Sequence, residues 1–359
     1  MKRIFISVTN DLSTDQRVHK VASSLFNKGY SVFLVGRKGK RLQLRSYNCH
    51  QLNVCFNKGF LFYLEFNIRL FFFLLFKKFD ILLSNDLDTL LPNFFISKIK
   101  NKPIVYDSHE LFTEVPELLN RPFVKYIWLC IESFCLPRIK YSYTVSDSIA
   151  AYYRAKYKIN MFVIRNFPIT LEIPSAEKNK KEKIIIYQGA VNRDRGIQLM
   201  ILAMKYVDAR LYIIGGGDLL FNTKKFVTAQ NLDDKVVFFG KRNFNELFSI
   251  TKTADLGLSF EEDTCLAYRY SLPNKIFDYV NAEIPVLVSD LPEFKKIILQ
   301  YPIGSVIQSR KPIAIANQMK FLLSNSDNNF HSKIKLAKKE FSWSKEEKKL
   351  FSIFKSIKV

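Results

Sequence analysis

Two short stretches of the sequence place positive side chains where a diphosphate could bind. Lys275 follows Pro273 within the first turn of a predicted helix, where a positive charge opposes the helix dipole. Asp278 lies one turn later and can face the same ligand. Arg193 and Arg195 occupy the loop between a β-rich run and the next predicted helix. Guanidinium groups beside backbone N–H groups suit phosphate oxygens, so a bound anion would explain these cations.

Each of these motifs also has a plainer interpretation. Lys275 and Asp278 could form a surface ion pair of little energetic value, although that leaves the position of the lysine unexplained. The arginines could belong to a solvated turn. The glycines of the stretch GGGD, 215–218, complete no dinucleotide-binding pattern and favour a tight turn with positive φ.

A histidine directly after an apolar run is the most informative candidate in the first half of the chain. His109 and Glu110 come just past the predicted strand 103–108. His109 could donate a hydrogen bond to a substrate hydroxyl or to developing negative charge. The remaining histidines are interpreted as structural; they are His19, His50 and His331.

Charged side chains follow two further predicted strands. Asp15 and Arg17 come after the first strand, and Asp86 comes after the strand 80–84. Capping of the next helix and a solvated helix face account for most of these residues without any ligand.

The elements that position these residues are short Val/Ile-rich strands alternating with helices, which predicts parallel sheets covered on both faces. A charged segment, 171–183, interrupts the alternation and is predicted to be a linker. The predicted fold class is therefore α/β, with two Rossmann-like doubly wound domains, 1–170 and 184–340, and a helix over 341–359. Ligands of such domains bind at the carboxyl ends of the strands, which makes a cleft between the domains the expected site.

The composition is that of a globular protein with an anionic partner. The 359 residues are 48% hydrophobic and carry a net charge of +22, which fits nucleic acid, an acidic membrane surface or phosphorylated substrates. The five cysteines include no C-x-x-C pair, so neither a disulfide framework nor a zinc site is predicted. A reducing cytoplasm is the simplest compartment, and the first apolar run is too short for a secretory signal.

The segment 58–78 is very apolar and is flanked by lysines. Glu65, Asn67 and Arg69 interrupt the run, which argues against a membrane-spanning helix. Glu65 and Arg69 have the i,i+4 spacing of partners on a helix. The segment is predicted to be a helix within a soluble domain. A helix lying in a membrane surface is the alternative, and a partly covered helix satisfies both interpretations.

Several stretches together resemble glycosyltransferase family 4, the retaining sugar transferases of GT-B architecture. They include TNDLSTDQRVHKVASSL, VYDSHELF, YQGAVNRDRGI and SLPNKIFDYVNAEIPVLVSDLPE, which come in the order of the family and span nearly the whole chain. The resemblance implies a nucleotide-sugar donor bound mainly by the second domain and an acceptor bound by the first. It also implies that the final helix packs back on the first domain.

The resemblance implies a donor site with two departures from the family pattern. Arg195 matches the lysine of the family's basic pair, whereas Ala190 replaces its arginine, for which Arg193 could compensate. Asp278 matches the family's second glutamate, which usually contacts the ribose, whereas Tyr270 replaces the first. The implied donor-binding residues are Gly189, Arg193, Arg195, Asn274, Lys275 and Asp278.

The implied catalytic residues are His109, Arg195 and Lys275. The two cations would stabilise the leaving diphosphate, and the histidine would lie near the transferred sugar. The implied acceptor-binding residues are Asp15, Arg17, Asp86 and Glu110. No metal and no cofactor are expected, because the sequence shows no metal-binding cluster and the leaving phosphate can help to deprotonate the acceptor.

The predicted function is transfer of a hexose-type sugar from a nucleotide sugar to a lipid-linked or envelope-polysaccharide acceptor, at the cytoplasmic face of a membrane. The net charge and the aromatic segment motivate the membrane part. A nucleotide-sugar epimerase of the same architecture is the alternative enzyme. A basic nucleic-acid-binding protein is the non-enzymatic alternative, although the sequence contains no groove-reading motif.

Overall fold

The computed structural model describes residues 1–12, 15–39, 45–169, 182–325 and 330–358, which form two compact units. Unit 1 comprises Met1–Asn166 and Glu346–Val359, and unit 2 comprises Phe167–Lys345. Unit 2 begins before position 170 because the ring of Phe167 packs 4.6 Å from that of Phe277, in the core of this unit. The predicted linker 171–183 lies outside the described residues except for its last two positions.

Unit 1 is built on parallel strands. They are β1 (Arg3–Asp11), β2 (Ser31–Arg37), β3 (Asn48–Leu52), β4 (Ile81–Asn85), β5 (Ile104–Ser108), β6 (Tyr141–Thr144) and β7 (Phe162–Val163). Within the described part of unit 1, they form one seven-stranded sheet in the order β3-β2-β1-β4-β5-β6-β7. The order reverses between β1 and β4, and ligands of doubly wound sheets bind at such a switch point.

Helices cover this sheet as the sequence pattern predicts. They are α1 (Gln16–Asn27), α2 (Gly59–Leu75), α3 (Leu90–Ile99), α4 (Pro116–Leu119), α5 (Pro122–Cys135) and α6 (Asp147–Tyr157). In α1, Val18, Val21 and Leu25 are buried, and Asp15 caps the N-terminus by accepting a hydrogen bond from the Val18 N–H at 3.1 Å. Strand β3 was not predicted, because this edge strand lacks the β-rich apolar run by which the other strands were recognised.

Unit 2 has a second parallel sheet. Its strands are β8 (Ile184–Gln188), β9 (Arg210–Ile214), β10 (Val236–Gly240), β11 (Leu256–Ser259), β12 (Val286–Val288) and β13 (Gly304–Val306). Across the described residues of this unit, they lie in the order β10-β9-β8-β11-β12-β13, with the switch point between β8 and β11. Alternate residues of β8 pack into two separate cores, Ile185 into one and Ile186 into the other, so both faces of the sheet are covered.

The remaining helices follow the strands of unit 2. They are α7 (Ile197–Ala203), α8 (Leu220–Ala229), α9 (Phe244–Thr253), α10 (Leu266–Arg269), α11 (Asn274–Asn281), α12 (Pro292–Gln300), α13 (Pro312–Ser324), α14 (His331–Glu340) and α15 (Trp343–Ser356). Residues from Glu346 onward belong to unit 1, and Phe354 of α15 packs there with its ring 6.1 Å from that of Tyr30.

The apolar segment of the sequence forms α2, as predicted. Its inner face is buried through Phe62, Phe66, Leu70 and Leu74, and the predicted Glu65–Arg69 ion pair forms at 2.8 Å. Its outer face is also apolar, with exposed side chains at Phe60, Leu61, Leu64, Ile68, Phe72 and Phe76. Among the described helices, none is long and apolar enough to cross a membrane.

Candidate functional site

Lys275 in unit 2 has a protein anion as its partner. It lies in the first turn of α11, is 8% exposed, and places Nζ 2.7 Å from Oε1 of the fully buried Glu261. Its ammonium group also lies 4.3 Å from the centre of the Tyr187 ring. The positive charge that opposes the helix dipole is therefore stabilised by a carboxylate at the end of β11 and by an aromatic face.

Arg195 approaches the same carboxylate. Its Nη1 atom lies 3.5 Å from Oε1 of Glu261, and its guanidinium lies 4.6 Å from the centre of the Tyr268 ring. Burial alone would raise the pKa of Glu261, but Lys275, the Ser259 hydroxyl at 2.6 Å and Arg195 outweigh it and hold the pKa below its ordinary value. Two cations thus share one ionised carboxylate at the β8/β11 switch point.

Gly196 brings the arginine loop close to β11. It is the N-cap of α7, with φ of +67°, and a Cβ atom at this position would lie 2.4 Å from the Phe260 carbonyl oxygen. A larger residue would be strained in φ and would push the loop away. The glycine therefore allows Arg195 to reach Glu261.

Asp278 is held by a chain of hydrogen bonds in unit 2. Its Oδ2 atom accepts from Gln188 Nε2 at 2.8 Å, and Gln188 Oε1 accepts from the Thr251 hydroxyl at 2.8 Å. The Gln188 backbone N–H donates to the Tyr279 hydroxyl at 3.1 Å. The carboxylate is therefore fixed beside the end of β8, on the helix that also carries Lys275.

The other predicted donor-binding residues differ in how close they lie to Lys275. Gly189 has φ of +139°, and a Cβ atom there would lie 3.5 Å from Lys275 Nζ, so its backbone passes beside the ammonium group. Asn274 is exposed at the start of α11, and Arg193 is exposed in its loop. Tyr270, which stands where the family has a glutamate, ends the short helix α10.

The glycine run 215–217 contacts the chain itself, as the turn interpretation predicts. Gly215 has φ of +143°, and a Cβ atom there would overlap the Gly189 carbonyl oxygen at 1.8 Å. The Gly216 carbonyl accepts from the Val191 N–H at 3.0 Å, and Gly217 lies against the same segment. These glycines pack the ends of β8 and β9 together.

In unit 1, His109 lies between two carboxylates. Its Nδ1 atom is 3.1 Å from Asp86 Oδ2, its Nε2 atom is 3.2 Å from Asp107 Oδ2, and its backbone N–H donates to Asp86 Oδ1 at 2.8 Å. Burial lowers the pKa of His109, but the two carboxylates reverse that effect and hold the pKa well above its ordinary value. Each ring nitrogen thus has a carboxylate oxygen as its partner, an arrangement that stabilises the protonated form of the ring.

Arg17 is a buried partner of the same group. It is 4% exposed, and its Nη2 and Nε atoms lie 2.8 and 3.1 Å from the two oxygens of Asp107. Its Nη1 atom donates to the Ile164 carbonyl at 3.0 Å. Burial would raise the pKa of Asp107, but Arg17 and then His109 lower it to about 2. These contacts place Arg17 inside the fold, so an acceptor would reach it only indirectly.

Asp88 is a third carboxylate of this region. It is 7% exposed and accepts a hydrogen bond from the Thr9 hydroxyl, across the β1/β4 switch point. Burial and the nearby charge of Asp86 raise the pKa of Asp88 to about 7. This side chain therefore titrates near neutral pH. Asp86 precedes it with φ of +54°, a conformation that is uncommon for a residue with a side chain.

The remaining predicted residues of unit 1 have different surroundings. Asp15 is the N-cap of α1 and also accepts from Asn10 Nδ2 at 2.8 Å, which matches the capping interpretation. Glu110 is exposed beside His109. His19 bonds the Tyr47 hydroxyl and the Leu12 carbonyl, in keeping with a structural histidine.

Two residues that hold these charged groups together were not predicted from the sequence. Glu261 links Lys275 and Arg195, and Asp107 links Arg17 and His109. Each is an acid at or just past the carboxyl end of a buried strand, which is the signal that could have identified it. Within the described ranges, no three His, Cys, Asp or Glu side chains come together in a group that could hold a metal ion.

The fold matches solved glycosyltransferase structures over its full length. Sucrose-phosphate synthase from Thermosynechococcus elongatus superposes with a TM-score of 0.79 at 15% identity, covering 99% of this chain and 98% of the other. Anabaena Alr3699/HepE in complex with UDP and glucose gives 0.76 at 13% identity, with 99% and 100% covered. WaaG, a glycosyltransferase involved in lipopolysaccharide biosynthesis, gives 0.74 at 14% identity, with 98% and 99% covered.

These likenesses, together with the two parallel-sheet units, define a GT-B glycosyltransferase fold. The sequence model "Glycosyl transferases group 1" matches residues 169–341, and "Glycosyltransferase Family 4" matches residues 15–167. The chain belongs to glycosyltransferase family 4. No curated protein matches it significantly. The resemblance predicted from the sequence motifs and the predicted fold class are both confirmed.

Proposed function

We propose that this protein is a retaining glycosyltransferase that moves a hexose-type sugar from a nucleotide sugar to a glycan or lipid-linked acceptor of a cell envelope. The supporting observation is the group formed by Lys275, Arg195 and Glu261 at the switch point of unit 2. Its two cations exceed its carboxylate by one positive charge, which favours an anionic ligand. HepE, a structural neighbour, was solved with UDP and glucose, which supports a nucleotide-diphosphate sugar as donor.

In this proposal the protein acts mainly on the leaving group. Lys275, Arg195 and the exposed Arg193 contact the diphosphate, and the two partly buried cations stabilise its growing charge in the transition state. Asp278 accepts from the ribose, while Gly189 and Asn274 border the donor. No metal or other cofactor takes part, because the cations supply the positive charge and the leaving phosphate accepts the proton of the acceptor.

The proposed role of unit 1 is to bind the acceptor and to place a positive charge near the transferred sugar. The raised pKa of His109 favours an electrostatic role over that of a general base, because both of its ring nitrogens already face carboxylates. Asp86 and Glu110 are the accessible candidates for acceptor hydroxyls. Asp15 and Arg17 would support the acceptor through the α1 cap and through Asp107.

The proposed location is the cytoplasmic face of a membrane. A helix that is apolar on its outer as well as its inner face is uncommon on a protein surface. Phe60 and Phe76 at the two ends of α2 are 58% and 80% exposed, and lysines stand next to both ends. An anionic lipid surface would cover the apolar side chains and attract the lysines, and it would also account for the net charge without nucleic acid.

Turnover with a panel of nucleotide sugars tests the proposed chemistry. The protein is expected to hydrolyse or transfer at least one donor, and NMR of the product is expected to show the retained anomer. Arg195→Ala and Lys275→Ala are each expected to lower kcat by about 10²- to 10³-fold. Lys225→Ala removes an exposed lysine of α8 and serves as the control.

Two results would contradict this proposal. Full activity in both site variants would remove the assignment of the donor site. A free nucleotide sugar with inverted configuration at one carbon, formed without an acceptor, would favour the epimerase alternative.

A further inference from the structure

A cavity of about 400 Å³ lies in unit 1, where the ends of β1 and β2 meet the first turn of α2. We call it the α2 cavity. Its wall includes Asn10 and Asp11 of β1, Arg37 of β2, and Lys58 and Phe62 at the start of α2. The carboxyl ends of strands are the ligand-binding edge of a doubly wound sheet, so the cavity is at the expected place for a substrate.

The charged groups of the α2 cavity favour an anion. Among the described residues of its wall, the charged side chains are those of Arg37, Lys58 and Asp11, which leaves one net positive charge. The Nη1 atom of Arg37 donates to the Asn57 carbonyl at 3.2 Å, and its guanidinium lies 5.4 Å from the centre of the Phe62 ring. These contacts hold the guanidinium plane in place. A fixed guanidinium matches the oxygens of a phosphate group.

The backbone at the start of α2 adds to this preference. Gly59 lines the cavity with φ of +77° and begins the helix, and the Lys58 side chain makes no capping hydrogen bond. The first N–H groups of a helix have no partner within the helix, and they carry the positive end of its dipole. Beside Arg37, they make a second set of donors for the same anion.

The outer face of α2 indicates where such an anion comes from. Directly after Gly59, the helix exposes Phe60 and Leu61, and the apolar stripe continues along its length through Leu64, Ile68 and Phe72. A helix of this length extends for about 25 Å. A soluble anion requires no such stripe. An anion carried by a lipid would sit at the end of a helix that lies in the membrane surface.

We propose that the α2 cavity binds the phosphate or diphosphate group of a lipid-linked acceptor while the outer face of α2 lies in the membrane surface. This inference rests on the proposed function and narrows its acceptor to a phosphate-bearing lipid. Arg37 and Lys58 hold the phosphate oxygens, and the lipid chain extends into the bilayer beside Phe60 and Leu61. The glycan end of the acceptor is then directed toward the strand ends of unit 1.

Vesicle binding by the full chain tests this proposal without any donor. The vesicles contain phosphatidylcholine with either a polyprenyl diphosphate or the corresponding polyprenol, and phosphatidylglycerol makes their net charge equal. The parent protein is expected to bind the diphosphate vesicles about tenfold more tightly, which is the scale of one charge-assisted contact. Arg37→Gln combined with Lys58→Gln is expected to abolish that difference.

The matched control is Lys77→Gln combined with Lys78→Gln, which removes the same charge at the other end of α2. It is expected to weaken binding to both vesicles and to keep the tenfold difference. The proposal is overturned if both double variants lose the tenfold difference in affinity to the same extent. It is also overturned if the parent protein binds the two kinds of vesicle equally well. Lys58→Gln alone changes an exposed residue, so it provides the test if the Arg37 variant does not fold.

Two further measurements separate the remaining possibilities. Inorganic diphosphate is titrated against the Lys275→Ala variant, which lacks the donor-site lysine. An affinity for diphosphate that equals the affinity for the lipid, and that is lost when Arg37→Gln and Lys58→Gln are added, would overturn the lipid-borne source. Donor turnover is measured separately on the parent: its absence would contradict the proposed function and leave the vesicle result intact, whereas loss of the vesicle difference with normal donor hydrolysis would contradict only the cavity assignment.

Discussion

The charged group of unit 1 and the charged group of unit 2 differ in how their charges balance. In unit 1, the cations Arg17 and His109 face the carboxylates of Asp107 and Asp86, and each positive group contacts at least one of them. In unit 2, Lys275 and Arg195 share the single carboxylate of Glu261.

The difference indicates two separate tasks for similar residues. The charges of the unit 1 group balance one another, so beyond the role proposed for His109 the group also fixes the ends of α1, β4 and β5 in one arrangement. The unit 2 group retains a positive charge that an incoming anion can neutralise, and Glu261 keeps the cations in place until then. Preorganised cations of this kind need no rearrangement when charge develops on a leaving group.

Disrupting the charged group of unit 1 is expected to cause the largest loss in the free energy of unfolding. Arg17→Met leaves Asp107 buried without its guanidinium, and removing one partner of a buried pair costs about 3–5 kcal/mol. Urea denaturation of the variant measures this loss. Arg69→Met breaks an ion pair whose arginine is 45% exposed, and it is expected to lower stability far less. Equal losses in the two variants would mean that the unit 1 group does not stabilise the fold.

Removing the shared carboxylate of unit 2 is expected to have an intermediate effect that a ligand reverses. Glu261→Gln leaves Lys275 buried beside a neutral amide, which costs about 3 kcal/mol without ligand. If the donor site is as proposed, UDP serves as the missing anion. Its thermal stabilisation, measured at one fixed concentration, is therefore expected to be larger in the variant than in the parent.

The matched control for this measurement is Glu246→Gln, which changes a glutamate in the first turn of α9. It is expected to leave the UDP-induced shift unchanged. A smaller shift in Glu261→Gln than in the parent would show that the carboxylate contributes to UDP binding in some other way than by holding the cations.

The last expected effect depends on pH and concerns Asp88, whose pKa is raised from 3.8 to about 7 in the fold. A raised carboxyl pKa means that the native state binds more protons than the unfolded state, so this residue lowers stability as the pH rises from about 4 to 7. Asp88→Asn removes that dependence. At pH 8 the variant is expected to be more stable than the parent by at least about 1.4 kcal/mol, the value of one pKa unit.

Denaturation at two pH values checks this expectation. Near pH 4 the advantage of Asp88→Asn is expected to disappear, because Asp88 is protonated in the native parent. Asp263→Asn, a change to an exposed carboxylate of unit 2, is expected to show no comparable dependence. A constant difference between parent and Asp88→Asn across this range would contradict the raised pKa.

The sequence predicted the fold better than the contacts within the sites. Alternation of strands and helices is a local pattern, and it identified both sheets except for the edge strand β3. Lys275 was recognised as a cation in need of an anion. The acid that pairs with Lys275 could not be predicted, because Glu261, Glu262 and Asp263 are adjacent in the sequence. Only the path of the chain after β11 determines which of them points inward.

His109 illustrates the same limit in unit 1. Its position after a strand was visible in the sequence, and Asp86 was a candidate for another reason. The raised pKa of its ring is due to two carboxylates brought together from the ends of β4 and β5, which no local pattern reveals. Charge pairs between strands depend on the register of the sheet and therefore appear only when the fold is known.

The return of the chain to unit 1 after unit 2 has a consequence for the order of folding during synthesis. Leu350, Ile353 and Phe354 are buried, and the Ile357 carbonyl accepts from Lys2 Nζ at 3.2 Å. These residues leave the ribosome after the whole of unit 2. Unit 2 is one continuous stretch and can complete its core first, although unit 1 begins earlier. A nascent chain therefore carries an unfinished unit 1 until translation has passed α15.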